Sequence, residues 1–342
     1  MPNAILTRAI DALASGRDLS ADQTSEVLAE VMADRASETQ IAGFLIALRV
    51  KGETEEELAG LARTMRALAT PVRVARDDLL DTAGTGGGRT TFNVSTTAAL
   101  IAAAAGCPVA KHGNRSATGL SGSADLLEAL GVRIDLSPAA VATCVEEVGF
   151  GFMFAPLHHA ATRFVVPVRR ELGVRTIFNF LGPLTNPAGA TRQLIGVSDP
   201  AFLERMAAAL ARLGARRALV VCSEDGLDEL SISAPTHVVE LSDGSLSRHV
   251  IHAAELGLDG ADPAEVAGGT PAENAATTLR ILAGERGAPR DLAALNAGAA
   301  IYAAGGAPSL EAGVRTAERA LDAGEAARLL EALARRTAEL AT

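Results

Sequence analysis

Residues 81–96, DTAGTGGGRTTFNVST, place a glycine-rich loop directly before a predicted helix. Glycine occupies four of the five positions 84–88, so the backbone can turn tightly and present its amide groups to an oxyanion. Asn93, Ser95 and Thr96 follow at the predicted start of an alanine-rich helix, where free amides and the helix dipole favour a phosphate. The stretch matches neither standard nucleotide motif, because position 89 is arginine and Gly-Lys-Ser/Thr is missing. On its own it is equally well interpreted as a flexible turn before an ordinary helix.

The sequence after Asp78 alternates short apolar runs with helical segments. Each apolar run predicts a β-strand, and the runs are residues 109–110, 132–134, 150–154, 194–197 and 218–222. Helices are predicted to begin at Ser123, and behind Ser137-Pro138 and Asp199-Pro200, where a capping side chain precedes proline. This alternation predicts an α/β fold with a mostly parallel central sheet, interrupted by a basic helical segment at residues 156–192.

Residues 1–70 predict helices only. Gly52 is a predicted C-terminal stop for one of them, and four short helices would make a thin core, so we expect this block to pack against another part of the molecule or a second subunit. The predicted domains are a small all-helical domain over residues 1–70 and a large α/β domain over residues 71–342. Three helix starts carry the capping-box pattern: Ser20 with Gln23, Ser37 with Gln40, and Thr54 with Glu57.

Composition and charge limit the classes of partner. The chain has 342 residues, 48% hydrophobic and 21% charged, which is typical of a globular protein. A net charge of -10 repels polyanions, and a chain with no Trp and one Tyr offers few surfaces for stacking bases. We therefore expect neither nucleic acid nor membrane as a partner. The three cysteines form no CxxC motif, and neither a signal peptide nor an apolar run of about 18 residues occurs, which predicts a cytoplasmic protein.

Two further loops follow predicted strands. KHGNRS at residues 111–116 leads through Ser121 to Asp125 at another helix start, and it combines two cations, an amide and several hydroxyls. Ligands of open α/β sheets bind at the carboxyl ends of strands, so two such loops favour an anion site over two solvated turns. DGLDE at residues 225–229 follows a third strand. Acidic loops are usually just solvated, but beside an anion site these carboxylates can share Mg2+ with a diphosphate.

The interrupting segment is rich in arginine. Residues 163–172 are RFVVPVRREL, and His158 and His159 lie just upstream. The forked guanidinium group of arginine suits a substrate carboxylate. Any one of these arginines more commonly lies on an exposed helix face and pairs with Glu. The two histidines are more often structural than catalytic at such positions.

Taken in order, these stretches resemble the anthranilate phosphoribosyltransferase family over nearly the whole chain. The matching segments are GTGG (84–87), TFNVST (91–96), KHGNRS (111–116), SGSAD (121–125), LEALG (127–131), VRRELG (168–173), TIFN (176–179), LGPLTNP (181–187), DGLDE (225–229) and LNA (295–297). The resemblance implies the nucleoside phosphorylase and phosphoribosyltransferase class of fold, in which helices from about residues 160–190 join the small helical domain. It also implies a homodimer formed through that domain.

The resemblance further implies an activity and its residues. The family transfers the phosphoribosyl group of 5-phosphoribosyl 1-pyrophosphate (PRPP) to the amine of anthranilate, with Mg2+, in tryptophan biosynthesis. No residue is expected to act as a nucleophile. Anthranilate would contact Gly84, Asn114 and Arg169, with Arg169 binding its carboxylate, and the Mg2+ ligands would be Ser95, Asp228 and Glu229. PRPP would be bound by Gly84, Gly87, Gly88, Thr91, Asn93, Val94, Ser95, Thr96, Lys111, His112, Gly113, Asn114, Arg115, Ser116, Ala117, Thr118, Gly119 and Ser123.

One departure from the family pattern lies in the first loop. The family usually has Gly-Thr-Gly-Gly-Asp-Gly, whereas here Gly87 is followed directly by Gly88, and the loop is one residue shorter before Thr91. We therefore expect an altered affinity for Mg2+ or PRPP rather than a loss of activity. Two rivals fit less well: pyrimidine nucleoside phosphorylases carry their Lys-His pair in the first phosphate loop, and a nucleic-acid-binding relative would need a basic groove.

Overall fold

The computed structural model describes residues 1–116 and 119–341. Within them the N-terminal helices are α1 (Ala4–Ala14), α2 (Ala21–Met32), α3 (Glu38–Lys51) and α4 (Glu55–Leu68). The later α-helices are α5 (Val94–Ala104), α6 (Ser123–Ala129), α7 (Pro138–Val148), α8 (Ala155–His158), α9 (Val166–Leu172), α10 (Phe178–Leu181), α11 (Leu203–Arg212), α12 (Pro271–Leu282), α13 (Ala288–Ala303), α14 (Leu310–Asp322) and α15 (Glu325–Leu340). The strands are β1 (Leu80–Gly84), β2 (Val109–Gly113), β3 (Phe150–Phe154), β4 (Arg192–Gly196), β5 (Arg217–Ser223), β6 (Thr236–Ser242) and β7 (Ser245–Ile251).

Helices α2, α3 and α4 begin behind the predicted capping residues, but one of the three predicted capping boxes is incomplete. Ser20 and Thr54 each form a complete capping box with the residue three positions later. At Ser37 only half of the predicted box forms, because the Gln40 side chain accepts a hydrogen bond from the backbone amide of Asn3 (3.0 Å) instead. Gln40 thereby ties the start of α1 to α3, a contact between segments that a local pattern does not reveal.

The central sheet has the order β3-β2-β1-β4-β5-β6-β7. The pairs from β3 through β5 are parallel, and β6 and β7 are added antiparallel at one edge. The prediction of an α/β fold with a mostly parallel sheet beside a small helical domain is therefore confirmed.

Two parts of the predicted strand pattern differ from the structure. The predicted strand at residues 132–134 is wrong: these residues form an extended connection outside the sheet. Val132 and Ile134 are buried in the core, and the Arg133 amide donates to the Thr337 hydroxyl of α15 (3.1 Å), so the alternation reflects packing rather than strand pairing. The β6–β7 hairpin was not predicted.

The hydrophobic residues form two clusters, and the second carries the small helical domain. It contains Leu6, Phe44 and Leu58 of the N-terminal helices together with Ile195 of β4 and Val220 of β5. Helices α9 and α10 contact α3 and α4, so the segment that interrupts the α/β alternation returns to the helical block. The division of domains at residue 70 stays a prediction. Across the part of the chain that the structure describes, no helix combines the length and apolar character needed to cross a bilayer.

The topology places one edge of the sheet at a switch point. The chain runs from β1 through β2 to β3 on one side, and β4 then returns to the other side of β1. In open α/β sheets, ligands bind outside the carboxyl ends of strands at such a point. Gly84 and Gly196 are neighbours at the ends of β1 and β4, so the glycine-rich loop begins at this crevice.

Candidate active site

The glycine-rich loop after β1 lies against the acidic loop after β5. The backbone amide of Gly86 donates to Oδ2 of Asp228 (2.8 Å), and the amide of Arg89 donates to the carbonyl of Gly226 (2.8 Å). A Cβ atom on Gly84 would overlap the Asp228 carboxylate, and one on Gly196 would overlap the Asp228 carbonyl oxygen. Both glycines are therefore needed for backbone and carboxylate to approach closely.

The surroundings of the acidic pair only partly offset its negative charge. Asp228 and Glu229 are half-buried residues, and the Asp228 carboxylate contacts the glycine-rich loop. Burial raises the pKa of Asp228, against the opposing effects of the Gly86 amide and the Arg175 guanidinium. The pKa of Glu229 lies well above its usual value because its carboxyl is buried and Asp228 lies beside it, while Lys111 partly opposes the shift. A bound cation would relieve both effects.

These residues suit a Mg2+ site shared with substrate phosphates rather than a metal site formed by protein ligands alone. Mg2+ usually keeps several waters and is held by one or two carboxylates together with substrate phosphates. Asp228, Glu229 and the nearby Ser95 hydroxyl supply such a partial ligand set. Accordingly, no group of three His, Cys, Asp or Glu side chains arranged to hold a metal occurs in residues 1–116 and 119–341.

Lys111 lies beneath the first loop rather than among the residues of the second. Its ammonium is 1% exposed and donates to the Thr82 carbonyl, to the Thr82 hydroxyl (3.1 Å) and to the Ser95 hydroxyl (3.5 Å). Burial lowers the pKa of Lys111, and the carboxylates of Asp81 and Glu229 oppose that shift. Lys111 thus supplies positive charge from below the crevice.

The start of α5 presents polar groups at the end of the glycine-rich loop. The Thr96 hydroxyl is buried without a hydrogen-bond partner, and Ser95 is half-buried beside Lys111. The Val94 side chain is buried in the core, so Val94 can offer a ligand only its backbone. Thr91 is held in place by an isolated bridge to Ala267.

The second loop is only partly free for a ligand. The Arg115 guanidinium is bound to Asp125 (2.7 Å) and Glu128 (2.5 Å), so its charge is already neutralised. The Ser116 hydroxyl accepts from the Gly119 amide (2.7 Å), and Ser123 donates to the Asn114 carbonyl (3.2 Å). Gly113 packs without space for a side chain against Ser123 and the Phe152 ring. Ala117 and Thr118 lie outside the described residues.

A cleft of about 510 Å³ opens beside the second loop, between the α/β body and the helical segment. Arg169 lies in its wall over the Phe178 ring, with Nη2 3.5 Å from the Asn179 side-chain oxygen. Burial lowers the pKa of Arg169. Cleft-lining residues include His112, Asn114, Pro156, His159, Arg163, Arg169, Phe178 and Gly182.

The His112 side chain lines this cleft. Successive side chains of a strand point to opposite faces, so His112 faces away from Lys111. Its ring lies 5.0 Å from that of His159. Burial lowers the pKa of His112 to about 3 and that of His159 to about 4, so both rings are neutral at physiological pH. Each has a buried Nε2 without a partner.

Sequence reasoning missed residues that come from distant parts of the chain. Arg175 donates to the Ser198 hydroxyl (2.8 Å) close to Gly87, which adds a cation over the glycine-rich loop. Arg89, in the shortened part of that loop, forms an ion pair with Asp225 (2.9 Å). Asn274 reaches the same loop from α12. Nothing in the local sequence around these residues indicates their partners.

The class of protein follows from the fold, the loops and the matching family models. The helical bundle domain of the glycosyl transferase family matches residues 7–69, and the a/b domain of the same family matches residues 76–327. Fold and site thus define a glycosyl transferase in which a helical bundle accompanies an α/β domain.

Comparison with individual relatives narrows this class of glycosyl transferases to one family. The anthranilate phosphoribosyltransferase of Moorella thermoacetica is 48% identical over 330 residues, which cover 96% of this chain and 97% of the relative. The crystal structure of the Thermus thermophilus enzyme of that name has a TM-score of 0.92 and 49% identity, covering 96% of this chain and 99% of the other. The Saccharomyces cerevisiae enzyme in complex with PRPP and Mg has a TM-score of 0.90 and 28% identity, covering 99% of each chain. The chain belongs to the anthranilate phosphoribosyltransferase family.

Proposed function

We propose that this protein transfers the phosphoribosyl group of PRPP to the amine of anthranilate, giving N-(5-phosphoribosyl)anthranilate and pyrophosphate in tryptophan biosynthesis. The observation that carries the proposal is the contact between a glycine-rich loop at a helix start and a paired acidic loop at the switch point, with an arginine-containing cleft beside the second loop. The sequence of the Moorella thermoacetica relative and the structure of the Thermus thermophilus enzyme, both named anthranilate phosphoribosyltransferase, support it.

The donor is assigned to the crevice between the glycine-rich and acidic loops. The amides of Thr85 and Gly86 are bonded within the protein, so the amides of Gly87 and Gly88 and the start of α5 are assigned to the pyrophosphate, supported by Lys111 and Arg175. Asp228, Glu229 and Ser95 hold Mg2+, which neutralises charge on the departing pyrophosphate. Of the second loop, Asn114, Ser116 and Gly119 complete this donor site.

The acceptor is assigned to the cleft. Arg169 binds the anthranilate carboxylate, because a partly buried guanidinium forms strong charge-assisted hydrogen bonds. Asn114 lines the cleft and Gly84 lies against Asp228 in the crevice, and both are assigned to contact the acceptor near its amine. The neutral rings of His112 and His159 form a wall without adding charge beside Arg169.

The proposed reaction is a displacement at the anomeric carbon of the ribose. The amine lone pair forms the new C–N bond as the C–O bond to pyrophosphate breaks, and the bonding electrons leave with pyrophosphate. The amine loses its proton once the C–N bond has formed. Because the amine is already neutral, positioning and electrostatic stabilisation contribute more than a strong general base.

The proposal is tested by following anthranilate fluorescence. We expect it to disappear only when protein, PRPP and Mg2+ are all present, with one pyrophosphate released per anthranilate consumed. Folded protein that leaves anthranilate unchanged under these conditions would refute the proposed activity.

Replacing Arg169 with Ala should raise the KM for anthranilate about 50-fold, since a charge-assisted contact to a carboxylate is removed. The change should leave the KM for PRPP nearly unaltered, as measured by initial rates with either substrate varied. Arg170→Ala is the matched control, because Arg170 is an exposed neighbour on the same helix. A fall in kcat with an unchanged anthranilate KM would contradict the assignment.

Inserting Asp between Gly87 and Gly88 should lower the Mg2+ concentration needed for half-maximal rate by about fivefold, equivalent to about 1 kcal/mol. A further carboxylate would then face the cation. The substitution Gly88→Asp is not equivalent, because a side chain there would overlap the Gly226 carbonyl oxygen. Titrating Mg2+ at fixed PRPP checks this, and an unchanged midpoint would contradict it.

We further propose a cytoplasmic homodimer formed through the helical domain. Val50 and Leu68, at the ends of α3 and α4, are 81% and 51% exposed, which is costly for apolar side chains in water. Light scattering should give the mass of two chains, and Val50→Glu should reduce it to one.

A further inference from the structure

A segment beyond the two proposed donor loops packs directly over the first of them. Ala267 forms a bridge with Thr91, and a Cβ atom on Gly268 would overlap the Thr91 carbonyl oxygen. This segment continues into α12, which begins at Pro271. Its backbone therefore lies directly against the end of the glycine-rich loop, at Thr91 and Phe92.

Asn274, in the first turns of α12, connects this segment to the start of α5. Asn274 is 3% exposed, and its side-chain oxygen accepts from the Gly269 amide (2.8 Å). Its side-chain nitrogen donates to Oδ1 of Asn93 (2.9 Å). Both ends of the Asn274 amide are thus used within one buried network.

Asn93 carries the connection onward to the second loop. Its Nδ2 donates to the Ser121 carbonyl (3.0 Å), and its Oδ1 accepts from the Ser121 hydroxyl (2.9 Å). Although Asn93 occupies the cap position of α5, its side chain makes no capping hydrogen bond. The network therefore holds the Asn93 side chain away from the amides at the start of α5, where Val94 donates to the Phe92 carbonyl (2.6 Å) and Ser95 donates to Glu229.

We propose that Asn274 is a positioning residue for donor binding, which fixes the glycine-rich loop and the second loop relative to each other through Asn93. This inference rests on the proposed function. Asn274 itself touches neither substrate, since it acts through Asn93 and Ser121. Its loss leaves Asn93 bound to Ser121 but no longer oriented by α12, so the donor must order the two loops when it binds.

Thr278 provides a matched control on the same helix face, one turn later. It is 0% exposed and shares a hydrogen bond of 3.0 Å with the Thr97 hydroxyl of α5. It makes no contact with either loop in the described hydrogen-bond network. Asn274→Ala and Thr278→Val each remove one buried polar link between α12 and α5, but only the first removes a contact to Asn93, the residue that joins the two loops.

The first test uses steady-state kinetics. Asn274→Ala should raise the KM for PRPP about tenfold, with the KM for anthranilate and kcat changed less than about threefold. Thr278→Val should leave the KM for PRPP unchanged even if it lowers the melting temperature equally. Ser121→Ala, which breaks the same network, should add little to Asn274→Ala when the two are combined. An unchanged KM for PRPP in Asn274→Ala, or an equal rise in Thr278→Val, would overturn the inference.

The second test does not depend on the proposed activity. Hydrogen exchange of the ligand-free protein, followed by mass spectrometry, should be faster in the peptide around Ser121 for Asn274→Ala than for wild type or Thr278→Val. Unaltered exchange there would overturn the inference even if the protein consumes PRPP. If exchange is faster in Asn274→Ala but no form of the protein shows PRPP-dependent turnover, the proposed function is refuted and the positioning role of Asn274 is not.

Discussion

Replacing Asp228 by Asn and Glu229 by Gln together should lower kcat/KM for PRPP by a factor of about 10³ or more. The amide side chains keep the shapes of the carboxylates, and the amide introduced in place of Asp228 retains an oxygen that can accept from the Gly86 amide. What is lost is the charge that holds Mg2+ and, through it, the departing pyrophosphate. Initial rates across a range of Mg2+ concentrations measure the effect.

The same double substitution should not destabilise the metal-free protein. The pKa values of both carboxyl groups are raised, so the folded state disfavours their charged forms at neutral pH. Removing the two charges should therefore leave the melting temperature unchanged or higher, as is common at functional sites. Glu224→Gln is the control, since Glu224 is exposed in the same loop and pairs with His237. A double variant with more than about a tenth of wild-type turnover would contradict the assigned metal site.

Gly196→Ala should lower kcat about 100-fold and the free energy of unfolding by about 1–3 kcal/mol. The added methyl group would overlap the backbone carbonyl oxygen of Asp228, so the acidic loop must move away from β4. A displacement of about 1 Å in catalytic groups is enough for a rate loss of this size. Rates at saturating substrate and denaturant unfolding measure the two effects.

Gly260→Ala is the matched control for this change, because the nearest atom to a Cβ there is the Ile232 carbonyl oxygen at an ordinary 3.6 Å. It should alter neither kcat nor stability appreciably. If Gly196→Ala instead keeps full activity, the close approach of β4 to the acidic loop does not set the position of Asp228.

Local sequence patterns predict the helix starts that depend on neighbouring side chains. The caps at Ser20 and Thr54 and the proline-marked start of α7 follow from side chains within one turn of the helix start. The missed hairpin also had a local mark: Asp243-Gly244 has φ of 45° and 84°, and such a pair favours a tight turn between antiparallel strands. Strand β7 is almost entirely exposed, so it lacks the apolar run by which the other strands were predicted.

The sequence predicts the residues of each loop in the site, but not the contacts between the loops. The sequence identified the glycine-rich and acidic loops, but not that Gly86 and Asp228, 142 positions apart, share a hydrogen bond. The placement of His112 in the cleft depends on strand alternation, and the neutralisation of Arg115 depends on Glu128 in the following helix. Arg175 and Asn274 reach the site through tertiary packing alone, which no motif encodes.

Loop amides and a carboxylate-held cation are proposed to bind the diphosphate of the donor together. Calorimetric titration of PRPP into the protein, with Mg2+ and again with Mg2+ removed by a chelator, measures the contribution of the cation. We expect strong binding with Mg2+, much weaker binding without it, and no Mg2+ effect in the Asp228→Asn/Glu229→Gln variant. Equal affinity for PRPP in wild type with and without Mg2+ would contradict the claim.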